Sequence, residues 1–141
     1  MAALQCLFAL DVREWPAEVP WAWVVEEDPL PGDADRFAQD LVDGVRNSLP
    51  DLDTLIHSYA PAWPVKQLAV VDRNILRIAL FELLFHGDTP RRSAVNESVE
   101  LAKIFGSESS ARFVNGVLGS VIGDLESGAL PLEQTAHEGG I

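Results

Sequence analysis

The segment from Asp72 to His86, DRNILRIALFELLFH, limits the possible folds more than any other. Wound at about 100° per residue, Ile75, Leu76, Ile78, Ala79, Leu80, Leu83 and Phe85 cover most of its circumference, leaving one polar arc of Arg73, Asn74 and Arg77. A helix apolar nearly all round cannot lie on a surface; it must be surrounded by other helices. The chain is therefore expected to be an all-α bundle with this helix at its centre. Glu82 projects between Ile75 and Ile78 onto an otherwise apolar face. A carboxylate there is costly unless it is paired, with an arginine such as Arg36 or Arg112, or meets a partner molecule.

The surrounding helices are visible in the same way. In SAVNESVELAKIFG, Val95, Val99, Ala102 and Phe105 recur at helical spacing, opposite Asn96, Glu97, Glu100 and Lys103. Ser93 reads as its N-cap, the stretch Gly87 to Arg92 as the preceding loop, and Gly106 as a left-handed C-terminal stop. A second helix restarts at Ser107 or Ser109, with Val114, Val117, Leu118, Val121, Ile122 and Leu125 in one stripe. Gly116, Gly119 and Gly123 fall inside that helix, each costing about 1 kcal/mol relative to alanine. The ordinary account is close helix–helix approach over a small-residue ridge; the other is a backbone kept clear for a ligand.

Towards the N-terminus, AALQCLFALDV reads as a helix with Leu4, Leu7, Phe8 and Val12 facing a core. From Glu14 onward four prolines break the periodicity around Trp15, Trp21 and Trp23, which predicts a loop with one short helix. The neighbours of these tryptophans are acids, so packing against a core suits them better than stacking on bases. Trp21 and Trp23 would cover either a dimer face or a core, which leaves a homodimer open. Phe37, Leu41, Val42 and Val45 mark the next helix, after an Asp33 cap, and Leu52, Leu55, Ile56 and Tyr59 a short one ending before Pro61.

With 141 residues and 48% hydrophobic content, one domain over residues 1–126 can bury a core without disulfides or metal, followed by a flexible acidic tail over 127–141. The single cysteine, Cys6, suits a reducing cytoplasm. No apolar run reaches the roughly eighteen residues of a membrane span, so a soluble, cytoplasmic protein without a membrane partner is expected. No nucleophile has a local activating partner, and His57, His86 and His137 lack metal-ligand spacing. No phosphate-binding glycine loop is present. The expectation is a non-enzyme with neither metal nor cofactor. Its formal net charge of -12 opposes non-specific attraction to phosphate backbones.

VNESVELAKIFG followed by ARFVNGVL, with VVDRNILRIALFELL and FAQDLVDGV upstream in the same order, resembles the NusB family of transcription antitermination factors over roughly residues 2 to 125. The resemblance implies two packed three-helix bundles with about seven helices. It also implies binding to boxA-like single-stranded RNA together with the small-subunit ribosomal protein NusE, in a transcription elongation complex that supports ribosomal RNA synthesis. On the implied RNA side, Gln5 and Phe8 offer an edge and a stacking face, Arg112 a phosphate contact and Asn115 a base contact; Asn115 can equally bond a helix terminus. Glu82, in the family's L-x-E-L pattern, takes the NusE contact. In the family an arginine-rich lead-in precedes the Ala3, Gln5, Leu7, Phe8 pattern, whereas here no basic residue precedes Arg13. A helix beginning in mid-stripe suggests a true start upstream of Met1. The alternatives are a protein-interaction module of the same fold that has lost RNA binding, or a detached NusB-like domain of an RNA methyltransferase.

Overall fold

The computed structural model describes residues 2–13, 32–86 and 89–129. The expected loop with its short helix, the three tryptophans at 15, 21 and 23, and most of the tail lie outside them. Among the described residues the chain is all helical: α1 (Ala2–Val12), α2 (Gly32–Asn47), α3 (Leu49–Tyr59), α4 (Val70–Phe81), α5 (Arg91–Phe105) and α6 (Ser110–Ser127). A 3₁₀ turn, Val65–Gln67, precedes α4, and a π-helical turn, Glu82–His86, continues it.

α4 packs against each of the other five helices. Helices α1, α2 and α4 touch one another, as do α4, α5 and α6, so two three-helix groups share α4, with α3 bridging them through α2 and α6. The central position follows from burial: Ile75, Leu76, Ala79 and Leu80 are all but inaccessible, joined by Leu7, Leu10, Val42, Val45, Leu52, Leu55, Ile56 and Leu118.

The polar arc of α4 is turned inward as well. Asp11, at the end of α1, accepts hydrogen bonds from Arg73 Nε (2.7 Å), Arg77 Nη1 (2.9 Å) and Asn74 Nδ2 (2.8 Å). Arg77 also grips Asp53 of α3 with two bonds of 2.8 and 2.9 Å. Arg73 Nη1 donates to the carbonyls of Lys66 and Leu68, which fixes the 3₁₀ turn against the start of α4. Burial by itself would raise the Asp11 pKa. The hydrogen bonds from Arg73 and Asn74 and the charges of Arg77 and Arg73 overcome it and hold the carboxyl below its usual range.

Several local expectations are corrected. Phe8 and Val12 are exposed, because the inward stripe of α1 runs through Ala3, Leu7 and Leu10, and each of them lies off that line. Phe37 is exposed too, while Ala38, Leu41, Val42 and Val45 carry the buried face of α2. That helix begins at Gly32, which puts Asp33 inside its first turn.

Pro90, not Ser93, precedes α5: with φ locked at -57° and ψ at 139°, it delivers the chain into the helix, and its carbonyl accepts from Ala94 at 3.0 Å. Arg91 and Arg92 therefore sit in the first helical turn. Gly106 is extended (φ -95°, ψ -171°) rather than left-handed. Its requirement is space, since a Cβ would press on the Ser110 side chain and come within 2.7 Å of the Ala102 carbonyl. The left-handed glycine is Gly128 (φ 76°), whose N–H closes α6 on the Asp124 and Leu125 carbonyls.

The helix–helix account of the glycines is overturned among the described residues. A Cβ at Gly116, Gly119 or Gly123 would meet nothing within 4 Å. All three lie on the exposed face of α6.

Candidate nucleic-acid interface

The N-terminal end of α4 separates two surface depressions. On one side Val71 joins Leu4, Gln5, Phe8 and Phe105 around a shallow apolar groove of about 270 Å³. On the other, Asp72 lies in a larger cleft of about 730 Å³. The walls of that cleft come from the end of α3 (Tyr59), the following turn (Pro61, Trp63, Leu68) and the first turns of α6 (Ser109, Arg112, Phe113, Gly116).

Each wall has a local cause. Pro61 and Pro64 bracket the Ala62–Trp63 turn after α3 ends, and Trp63 is left 61% exposed. Tyr59 is half-buried, and its hydroxyl donates to Asp124 Oδ2 of α6 at 2.5 Å. Burial first, then the hydrogen bond and charge of Asp124, push its phenol well above the usual range. At the restart after Gly106, the Ser110 hydroxyl accepts from the Ser107 N–H at 2.8 Å, which aims the first turn of α6, and with it Arg112, at the cleft.

Asp72 is the unusual member. It is 8% exposed, and its Oδ1 is a buried atom with no hydrogen-bond partner among the described residues. Leaving a buried acceptor unsatisfied costs about 1–3 kcal/mol. A donor supplied from outside relieves that cost. The cleft thus offers aromatic faces for stacking, a buried acceptor for an amino or imino edge, and an exposed guanidinium for an anion.

The sequence-derived residues divide between these places. Gln5 and Phe8 meet in the small groove, and Arg112 lines the cleft. Asn115 is exposed on α6, one residue before the cleft-lining Gly116. Glu82 is 6% exposed and opens the π-helical turn, beyond the opposite end of α4. In that turn Phe85 is exposed and its ring faces Phe81 at 6.0 Å between centroids. Tyr59, Trp63 and Asp72 were missed. The tryptophan bracketed by prolines was the available signal for one of them, while an acid in the first turn of a helix is ordinarily just favourable to the helix dipole.

The NusB family matches residues 1–123 of the chain. The chain belongs to the NusB family.

Among curated NusB-family relatives, the transcription antitermination protein NusB of Roseiflexus castenholzii is 48% identical over 122 residues, covering 85% of this chain and 86% of its own. The protein of the same name from Desulforudis audaxviator is 44% identical, covering 88% and 90%. Of solved structures, T. maritima NusB superposes with a TM-score of 0.75 at 34% identity, over 85% of this chain and 84% of that one. A chain from the crystal structure of the antitermination factors NusB and NusE in complex with double-stranded RNA gives 0.76 at 30% identity, over 85% and 89%. The NusB family is not enzymatic. Among the described residues no helix is long and apolar enough to cross a membrane, and no three His, Cys, Asp or Glu side chains gather as a metal site.

Proposed function

We propose that this chain is a transcription antitermination factor that binds boxA-like single-stranded RNA together with NusE in the elongation complex, in support of ribosomal RNA transcription. The observation that carries the RNA part is Asp72 Oδ1, without a partner among the described residues, in a cleft walled by Tyr59, Trp63 and Phe113, with Arg112 at its edge. Unstacked bases are recognised by ring faces and by hydrogen bonds to their edges, and the phosphates between them by arginine. A duplex hides those edges and faces, so the cleft suits a single strand. Asn115, next to the cleft, takes a second base edge, and Gln5 with Phe8 in the adjoining groove extend the path of the strand.

The NusE contact is assigned to Glu82 and the π-helical turn. Such turns interrupt a regular helix and are frequent at functional sites. Here the turn presents Phe85 at the surface and keeps Glu82 buried at its start.

The test is a titration of the chain into labelled boxA-like RNA and a scrambled control, with and without NusE, at physiological salt. Specific binding that tightens with NusE supports the reading. A stable NusE complex with no affinity for either RNA would leave a protein-interaction module instead. Glu82→Gln should weaken the NusE complex much more than it lowers the melting temperature; equal effects on both would remove the assignment.

A further inference from the structure

Tyr59 has one end in the cleft and the other tied outside it. Tyr59 lines the cleft, while its hydroxyl is held by Asp124. Asp124 lies about two turns along α6 from Val117, the nearer end of the cleft wall, and does not line the cleft itself. The bond ties the end of α3 to the far half of α6, two elements that both contribute to the walls. Without it, Tyr59 would be a half-buried side chain at a helix terminus, next to the irregular turn from Ala60 to Pro64, free to change rotamer.

We propose that Asp124 is a positioning residue for the RNA cleft, holding the Tyr59 ring in the orientation in which it stacks on a base. The inference rests on the reading of the cleft as the RNA site. Two physical consequences support it. A ring fixed before binding loses no rotamer freedom when a base stacks on it, so affinity is gained through preorganisation rather than through a new contact. With its hydroxyl committed to Asp124 outside the cleft, the tyrosine offers the cleft only its ring, which leaves Asp72 and Arg112 to make the charged contacts. The same bond also neutralises none of the negative charge of Asp124 but keeps that carboxylate turned to the tyrosine, beside the cleft rather than within it.

Tyr59 is the only tyrosine in the chain, which makes the latch separately observable. The ultraviolet Raman doublet of tyrosine reports whether the phenol is a strong donor, with no other tyrosine contributing. The experiment compares wild type with Tyr59→Phe, Asp124→Ala, Asp124→Asn and the Tyr59→Phe/Asp124→Ala double variant, each checked for helicity, in binding to labelled boxA-like RNA. Arg112→Ala serves as the control for the cleft. Tyr59→Phe and Asp124→Ala should each weaken RNA binding about fivefold, and the double variant no further, as expected of two residues acting through one bond. Asp124→Asn, which keeps a carbonyl acceptor in place, should restore affinity to within about twofold and retain the donor signature of Tyr59 that Asp124→Ala loses. NusE binding should be unchanged throughout. Loss of the donor signature in Asp124→Ala without loss of RNA affinity, while Arg112→Ala does lose it, would overturn the latch and leave the cleft. If wild type binds no RNA, or Arg112→Ala binds as wild type does, the cleft reading falls and the latch with it.

Discussion

Asp11 shows how much one side chain can hold together. Its carboxylate collects Arg73, Asn74 and Arg77 of α4, and Arg77 passes the connection on to Asp53 of α3. Arg77 is 4% exposed, so removing it strands buried charge. Arg77→Ala should destabilise the fold by about 3–5 kcal/mol in urea denaturation, far more than a surface ion pair would. The pH dependence follows from the lowered Asp11 pKa. The unfolded chain takes up the proton near pH 4, the folded one only at lower pH, so the stabilisation is complete above the unfolded value and is lost as pH falls through the folded one. Melting temperature measured from pH 6 down to pH 2 should therefore fall less steeply in Asp11→Asn than in wild type, from a lower starting point. Cys6 has no comparable role. Burial, and after it the charge of Asp43, push its thiol up to about 11, which keeps it protonated and unreactive at neutral pH.

Among the elements, the α5–α6 hairpin separates glycines that need no side chain from glycines that merely lack one. A Cβ at position 106 would press on Ser110 and on the Ala102 carbonyl, so Gly106→Ala should destabilise by about 1–3 kcal/mol. At 119 and 123 a Cβ meets open space, and Gly119→Ala and Gly123→Ala should each raise stability by about 0.5–1 kcal/mol. Gly116→Ala should give a similar gain in melting temperature but weaken RNA binding, because this glycine lines the cleft. Equal RNA affinity in all three variants would place the strand elsewhere. The helices themselves were legible from periodicity because their buried stripes repeat at i, i+3, i+4. Their ends were less so: Pro90 enters α5 by backbone geometry with no side-chain cap, and Gly106 answers to Ser110, the first residue of the next helix.

For the molecule as a whole, a net charge of -12 leaves little general attraction for RNA. Arg73 and Arg77 are spent inside the fold, and Arg112 is the cation lining the cleft. RNA binding by this chain alone should depend weakly on salt, with a log–log slope of about -0.7 to -1.4 for one or two phosphates on a single strand. A slope steeper than about -3 would mean that cations away from the cleft, such as Arg91 and Arg92 at the start of α5, also meet phosphates. Recognition is thereby left to stacking and base edges, where the cleft is well supplied.

The central helix, its all-α surroundings and the family were determined by the sequence alone, because an apolar circumference at helical period has one physical solution and the motifs run in the family's order. Gln5, Phe8, Arg112 and Asn115 could be nominated from the sequence through that likeness. Only the tertiary structure decided that Gln5 and Phe8 share one groove while Arg112 belongs to another, and that Arg73 and Arg77 are consumed by Asp11 and Asp53. It also singled out Asp72 as the acid with an unsatisfied oxygen among the described residues. Whether a polar atom is satisfied depends on partners tens of residues away, and no local pattern records which of them folding brings within hydrogen-bonding distance.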